Sequence, residues 1–396
     1  MRVRWSAISV PSLVLSLAAC NVTTGDDAST SAPPGADPPA ASPADPGAPS
    51  SEPGKPPAPA ADEGAVFTIS NASEANEVLA FARDASGKLS PAGVFPTGGR
   101  GLGKGLGSQG ALALSEDRRV LVVVDAGSSQ ISSFRVQGTT LLFRSRVSSG
   151  GTQPISVTVH GGVVYALNAG EPSNVSGFLL DADGRLAPIA GSTRALSGSN
   201  TAPAQVQFSP KGDLLLVAER NTQTIDAFLV GADGLASGPI ANHSAGAVPF
   251  GFAFGKRGQV FFSEAGPNAA SSYAVAADGT LTVVTGSAPT YQGAPCWLVV
   301  TNDGRYAYTG NAGGNSITGF AIGVDGALTL LNADGHTAAT GAGATDLALS
   351  VNSQYLYVRN TRAGSVSAFA VNADGSLSEI PGADGLPGGS AGLAAY

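Results

Sequence analysis

Three histidines, two cysteines and one methionine are all that 396 residues hold of the side chains that most often ligate soft metals or act as thiol nucleophiles. Two cysteines exclude a small disulfide-stapled scaffold, and no Cys/His cluster has metal-ligand spacing. Charged residues are only 13% of the chain and the net charge is −8, which argues against nucleic acid and against docking to anionic lipid. No stretch keeps a helical apolar period, so an all-β fold is expected.

Glycine and proline are abundant instead, with 54 and 26 residues, and much of that glycine recurs in one place. Seven times a short cassette appears: a β-branched residue, two mostly small residues, an aromatic, then a turn that is usually Asp-Gly. Its aromatics are Phe81, Phe134, Phe178, Phe228, Tyr273, Phe320 and Phe369, spaced 44 to 53 residues apart with a mean of 48. A period near this length is that of a four-stranded propeller blade. Each repeat reads as four short strands, as in Pro203–Phe208, Asp213–Glu219, Thr224–Val230 and an outer strand after Asp233-Gly234. Runs such as Val120–Val124 are apolar on both faces, which suits a blade held between two neighbours.

The first repeat has no innermost strand, since Ala65–Ser70 already reads as a second strand. The missing piece stands at the other terminus, where Ser390–Tyr396 aligns with the inner strands Ala344–Leu349 and Pro249–Phe254. A seven-bladed β-propeller over residues 64–396 is expected, its ring closed by the C-terminal strand completing the first blade.

Ahead of the ring, Met1–Arg4 is basic, Trp5–Leu17 is apolar, and Leu17-Ala-Ala-Cys20 follows. Residues 1–20 read as a secretory signal too short to span a membrane. The Leu-Ala-Ala-Cys ending resembles the lipobox of bacterial lipoproteins, which implies lipid on Cys20 and, with Asn21 after it, sorting to the outer membrane, periplasmic or surface-exposed. Residues 21–63 hold 11 of the prolines and one Lys against seven acids, the composition of a disordered spacer.

Gly107–Ser115, Pro203–Glu219 and Thr345–Ser350 combine an inner strand, a Ser-containing turn and a second strand with a polar end. In these the ring resembles the lactonase-type seven-bladed propellers, a family with 6-phosphogluconolactonase-like and carboxymuconate-cyclase-like members. The resemblance implies a small polar ligand at the channel mouth, such as a lactone or sugar acid. Two departures stand out: Ser108-Gln109-Gly110-Ala111 replaces the family's Pro-His-Xaa-His run, and Ala204-Gln205 replaces Arg-His. Glu219, with Arg220 beside it, is the family's charged group that can still be placed.

The ends of the second strands put Asn71, Asp125, Asn168, Glu219, Glu264, Asn311 and Asn360 on one face of the ring, joined there by Gln109, Gln153, Phe250, Tyr291, Trp297 and Asp346. Such groups suit a sugar-like ligand, and they equally suit turns that satisfy their own backbone. For lactone hydrolysis, Glu219 is the expected general base, aided by Glu264 or Asp125, with Arg220 or Gln109 steadying the oxyanion. Gly98–Gly105 nearly spells a phosphate loop but lacks the Ser or Thr after Lys104, and is expected to be a flexible loop over the mouth. No metal or cofactor is implied. The alternative is a non-enzymatic, monomeric envelope module that presents this loop face to a protein or glycan and meets the membrane only through its lipid anchor.

Overall fold

The computed structural model describes residues 63–396. The signal and Cys20 expectations, and the spacer to residue 62, lie outside them. Seven antiparallel sheets follow one another around an axis, each of four strands and six of them in sequence order, two with an extra two-residue strand. The strands foreseen at Pro203–Phe208 and Thr224–Val230 occur with those bounds.

The first blade runs Leu89–Pro96, Glu77–Arg83, Gly64–Ile69 and then Ala391–Ala395, so the C-terminal strand closes the ring as expected. Ala65 and Tyr396 exchange backbone hydrogen bonds at 3.2 and 3.0 Å, and Thr68 Oγ1 donates to Gly392 O at 2.7 Å. Only glycine fits at position 64, where a Cβ would stand 1.8 Å from Tyr396 O. The Tyr396 hydroxyl then donates to Gly138 O in blade two at 2.8 Å.

Second strands such as Val120–Asp125 and Leu214–Glu219 are buried at every position, as strands covered on both faces must be. The Asp-Gly turns are more than hairpin ends. Their glycines have φ between 70° and 95°, and their carbonyls dock on the preceding blade. Tyr165 donates to Gly234 O, Tyr308 to Gly375 O and Tyr357 to Gly87 O, each at 2.8 Å. Tyr165 also accepts from Ala236 N. Tyr165→Phe removes both bonds from a buried junction and is expected to cost about 1–3 kcal/mol in denaturant unfolding; an unchanged midpoint would show that the turns do not rivet the blades.

The axis is not uniform. All seven inner strands start buried, and all but Pro203–Phe208 end half-exposed, that strand being half-exposed only at Gln207. The ring is therefore closed where outer-to-inner connections enter and accessible at the opposite face. Cys296 is fully buried beside Trp297, while Cys20, the sequence's other cysteine, lies outside the described residues.

Candidate functional site

The closure of the loop-face end has named parts. Gln109 Nε2 donates to Leu298 O at 2.8 Å and Gln109 Oε1 accepts from Leu298 N at 2.9 Å, so one side chain imitates a strand rung. Gln109 N donates to Ala204 O, and Trp297 Nε1 donates to Ser108 O at 2.9 Å. Residues 108–109 of blade two thus reach blades four and six and lie across the axis. Phe250 packs against Trp297 with ring planes tilted by 60° and centroids 4.9 Å apart, and the Arg220 guanidinium lies 5.4 Å over Phe250. Gln205 repeats the rung on a neighbour, donating to Phe252 O and accepting from Phe252 N. Gln109 and Gln205, which stand where the resemblance implies histidines, therefore bind backbone.

All seven second-strand ends are fully buried. Each sits beneath the connection that crosses its blade. Asn71 donates to Lys104 O and accepts from Leu102 N, which pins the glycine-rich loop expected to be flexible. Asp125 accepts from Asn76, Thr97 and Ser132, yet burial raises its pKa. Asn168 donates to Ser149 O, and Asn360 bonds to Ser365, Ser367 and Gly341 O. Glu264 accepts from Gly246 N and Ser287, with Gly246 so close that a Cβ would meet the carboxylate at 2.0 Å. Asn311 donates to Ser316 and Thr318.

Asp125 and Glu264 thus keep their bonds within blades one and two and blade five, and no hydrogen bond joins them to Glu219. Asp346 forms a buried ion pair with Arg359 at 3.2 Å; burial pushes the carboxyl up and the guanidinium down, and each charge opposes the other's shift. Gln153 and Tyr291 are exposed. His243 and His336 are exposed too, and His160 pairs with Glu116 at 2.6 Å on the far face. Gly388–Gly392 fits the Gly-Xaa-Ser-Xaa-Gly pattern of a nucleophile turn, but the Ser390 hydroxyl meets Arg359 at 3.4 Å rather than a histidine. Among the described residues no group of three or more His, Cys, Asp or Glu is placed to hold a metal.

Blade four differs from its sisters. The cassette position after the β-branched residue holds Ser132, Ser176, Ser271, Thr318 and Ser367 in blades two, three, five, six and seven, and in three of them this hydroxyl bonds the strand-end group. Blade four has Asp226 there, opposite Val217 on the neighbouring strand and so on the same face as Glu219 two residues on. Two carboxyls so close cannot both ionise cheaply. Burial first, and the Asp226 contact second, push the Glu219 carboxyl up to about 8. Thr222 donates to Glu219, and Ser197 N donates to Asp226 Oδ2 at 2.7 Å from the connection above. Asp226 Oδ1 and Thr201 Oγ1 are buried with no hydrogen-bond partner among the described residues. Arg220 Nε donates to Ala202 O at 2.9 Å, and burial lowers its pKa to about 10, so it stays cationic at neutral pH. Sequence reasoning missed Asp226; its one signal was an acid among the small residues of the cassette.

Residues 271–386 match the family model described as Lactonase, 7-bladed beta-propeller. No curated protein matches the chain. Solved structures similar to it include a candidate 6-phosphogluconolactonase from Bacteroides fragilis, 19% identical, with 85% of this chain and 98% of that one covered and a TM-score of 0.69. A Lactobacillus plantarum protein has a TM-score of 0.72 at 19% identity, covering 85% and 99%. The periplasmic gluconolactonase of Pseudomonas aeruginosa has a TM-score of 0.67 at 16% identity, covering 84% and 99%. The chain is thus a seven-bladed β-propeller, as expected, and residues 271–386 of it are similar to the lactonase-type propellers that the sequence resembles.

Proposed function

We propose that this ring hydrolyses a lactone, with Glu219 and Asp226 of blade four at its chemical centre. The observation that carries the reading is the carboxyl pair, which replaces a structural hydroxyl and stands beside a buried arginine. A perturbed carboxyl beside a second, buried one with an unsatisfied acceptor is what catalytic sites collect and structural turns avoid. For a substrate to reach the pair, residues 197–202 must move aside. Ionised Glu219 then takes a proton from a water whose oxygen adds to the lactone carbonyl. Arg220 steadies the oxyanion, the ring C–O bond breaks, and the leaving oxygen takes the proton, giving the hydroxy acid. Acid release from a panel of sugar and aliphatic lactones, by the parent and by Glu219→Gln, tests this.

A second reading is favoured by the sealed loop-face end of the axis: a non-enzymatic module that presents this face to an envelope protein or glycan. Recovery of one specific envelope partner by a chain without lactone turnover would support it.

Export fits both readings and the periplasmic relative. A tether to the outer membrane would use the sulfur of Cys20, and one sulfur cannot carry both a lipid thioether and a disulfide. Mass spectrometry of the mature N-terminal peptide is expected to find diacylglycerol on Cys20; Cys20 recovered bridged to Cys296 would contradict the tether.

A further inference from the structure

We propose that the ring holds a second binding site, for a neutral polyhydroxylated small molecule, in the axial cavity that opens on the face away from the connections. The cavity has a volume of about 250 Å³. That is the liquid volume of roughly eight waters and somewhat less than pockets built for drug-sized ligands, so it suits a monosaccharide or smaller.

Its floor is the Gln109 rung, which separates it from the loop face. Its walls are inner strands of blades one, two, three, four and seven, the last strand in each of their sheets, and such edges offer both donors and acceptors. The edges are bridged from blade to blade: Ser156 accepts from Val206 N, Thr158 accepts from Phe208 N, and Gln205 brackets Phe252. Gln207 takes no part in these bridges. It lies two residues beyond Gln205 and so on the same face of the strand. Its Oε1 is buried and accepts no hydrogen bond from the protein. The lining carries one titratable group, Asp346, and Arg359 neutralises it at 3.2 Å. A wall of uncharged donors and acceptors with one idle carboxamide selects neutral hydroxyls over anions, which would lose hydration without gaining a counter-charge.

The test is calorimetric titration and thermal shift of the full chain with D-glucose, myo-inositol and glycerol, and with D-gluconate as the charged comparison. Binding of D-glucose is expected and binding of D-gluconate is not. Gln207→Leu should weaken D-glucose roughly five- to tenfold. Glu219→Gln should bind as the parent does, which keeps this site separate from the lactone reading. No binding of any neutral polyol, gluconate binding as tightly as glucose, or a Gln207→Leu protein that folds and binds unchanged would overturn the proposal.

Discussion

Glu219→Gln is expected to abolish lactone turnover at every pH and, above pH 7, to melt no lower than the parent. Both parts follow from the carboxyl's position. A glutamine keeps the size and one acceptor but cannot take a proton from water. The stability part follows from linkage. The folded-state pKa of about 8 lies above the ordinary value of 4.5, so the fold favours the protonated form. That contribution is fully present below pH 4.5 and is lost as pH rises toward 8, at up to about 1.4 kcal/mol per pH unit. The parent's melting temperature should therefore fall between pH 5 and pH 8 more steeply than that of Glu219→Gln. Asp226→Asn removes the neighbouring acid and should move the midpoint of the parent's rising pH–rate curve downward. An unmoved midpoint would mean that the two carboxyls do not act together.

Deletion of Ser390–Tyr396 is expected to remove the cooperative thermal transition of the whole ring, not only of blade one. The lost strand pairs with Val66, Phe67 and Ile69 and takes hydrogen bonds from Thr68 and Arg83. Its removal uncovers Phe67 and Ile69, which are fully buried, and leaves a long inner edge unpaired. It also cuts the Tyr396 link to Gly138 in blade two. Circular dichroism melts of the truncated and parent chains decide it, and a truncated chain melting cooperatively within a few degrees of the parent would show that closure is dispensable.

Blade number, strand bounds and ring closure were legible because they rest on local chemistry. Asp-Gly turns mark hairpins wherever they fall, and the β-branched cassette repeats with the blade. The state of the axis was not legible. Gln109 finds its partner Leu298 189 residues away, and nothing near Gln109 announces that contact. The seven strand-end groups were placed on the right face, but their burial depends on connections that fold back over them, with Gly246 above Glu264 and Gly341 above Asn360. Glu219 was found through its resemblance to a family position. Asp226 was not, because an acid two residues before an aromatic reads as one more small polar side chain until the hydroxyls around the ring are compared. The ion pair of Asp346 and Arg359 joins two strands of one blade, and the sequence marked only its acid.

The central claim, that the Glu219–Asp226 pair is a chemical centre and not a structural substitute for a serine, is tested most directly by acid release at pH 8.5. Sugar and aliphatic lactones would be given to the parent chain, with Glu219→Gln beside it under the same conditions. Turnover of at least one lactone by the parent and none by the variant is the predicted result. Equal turnover by both proteins, or none by a parent shown to be folded, would contradict it.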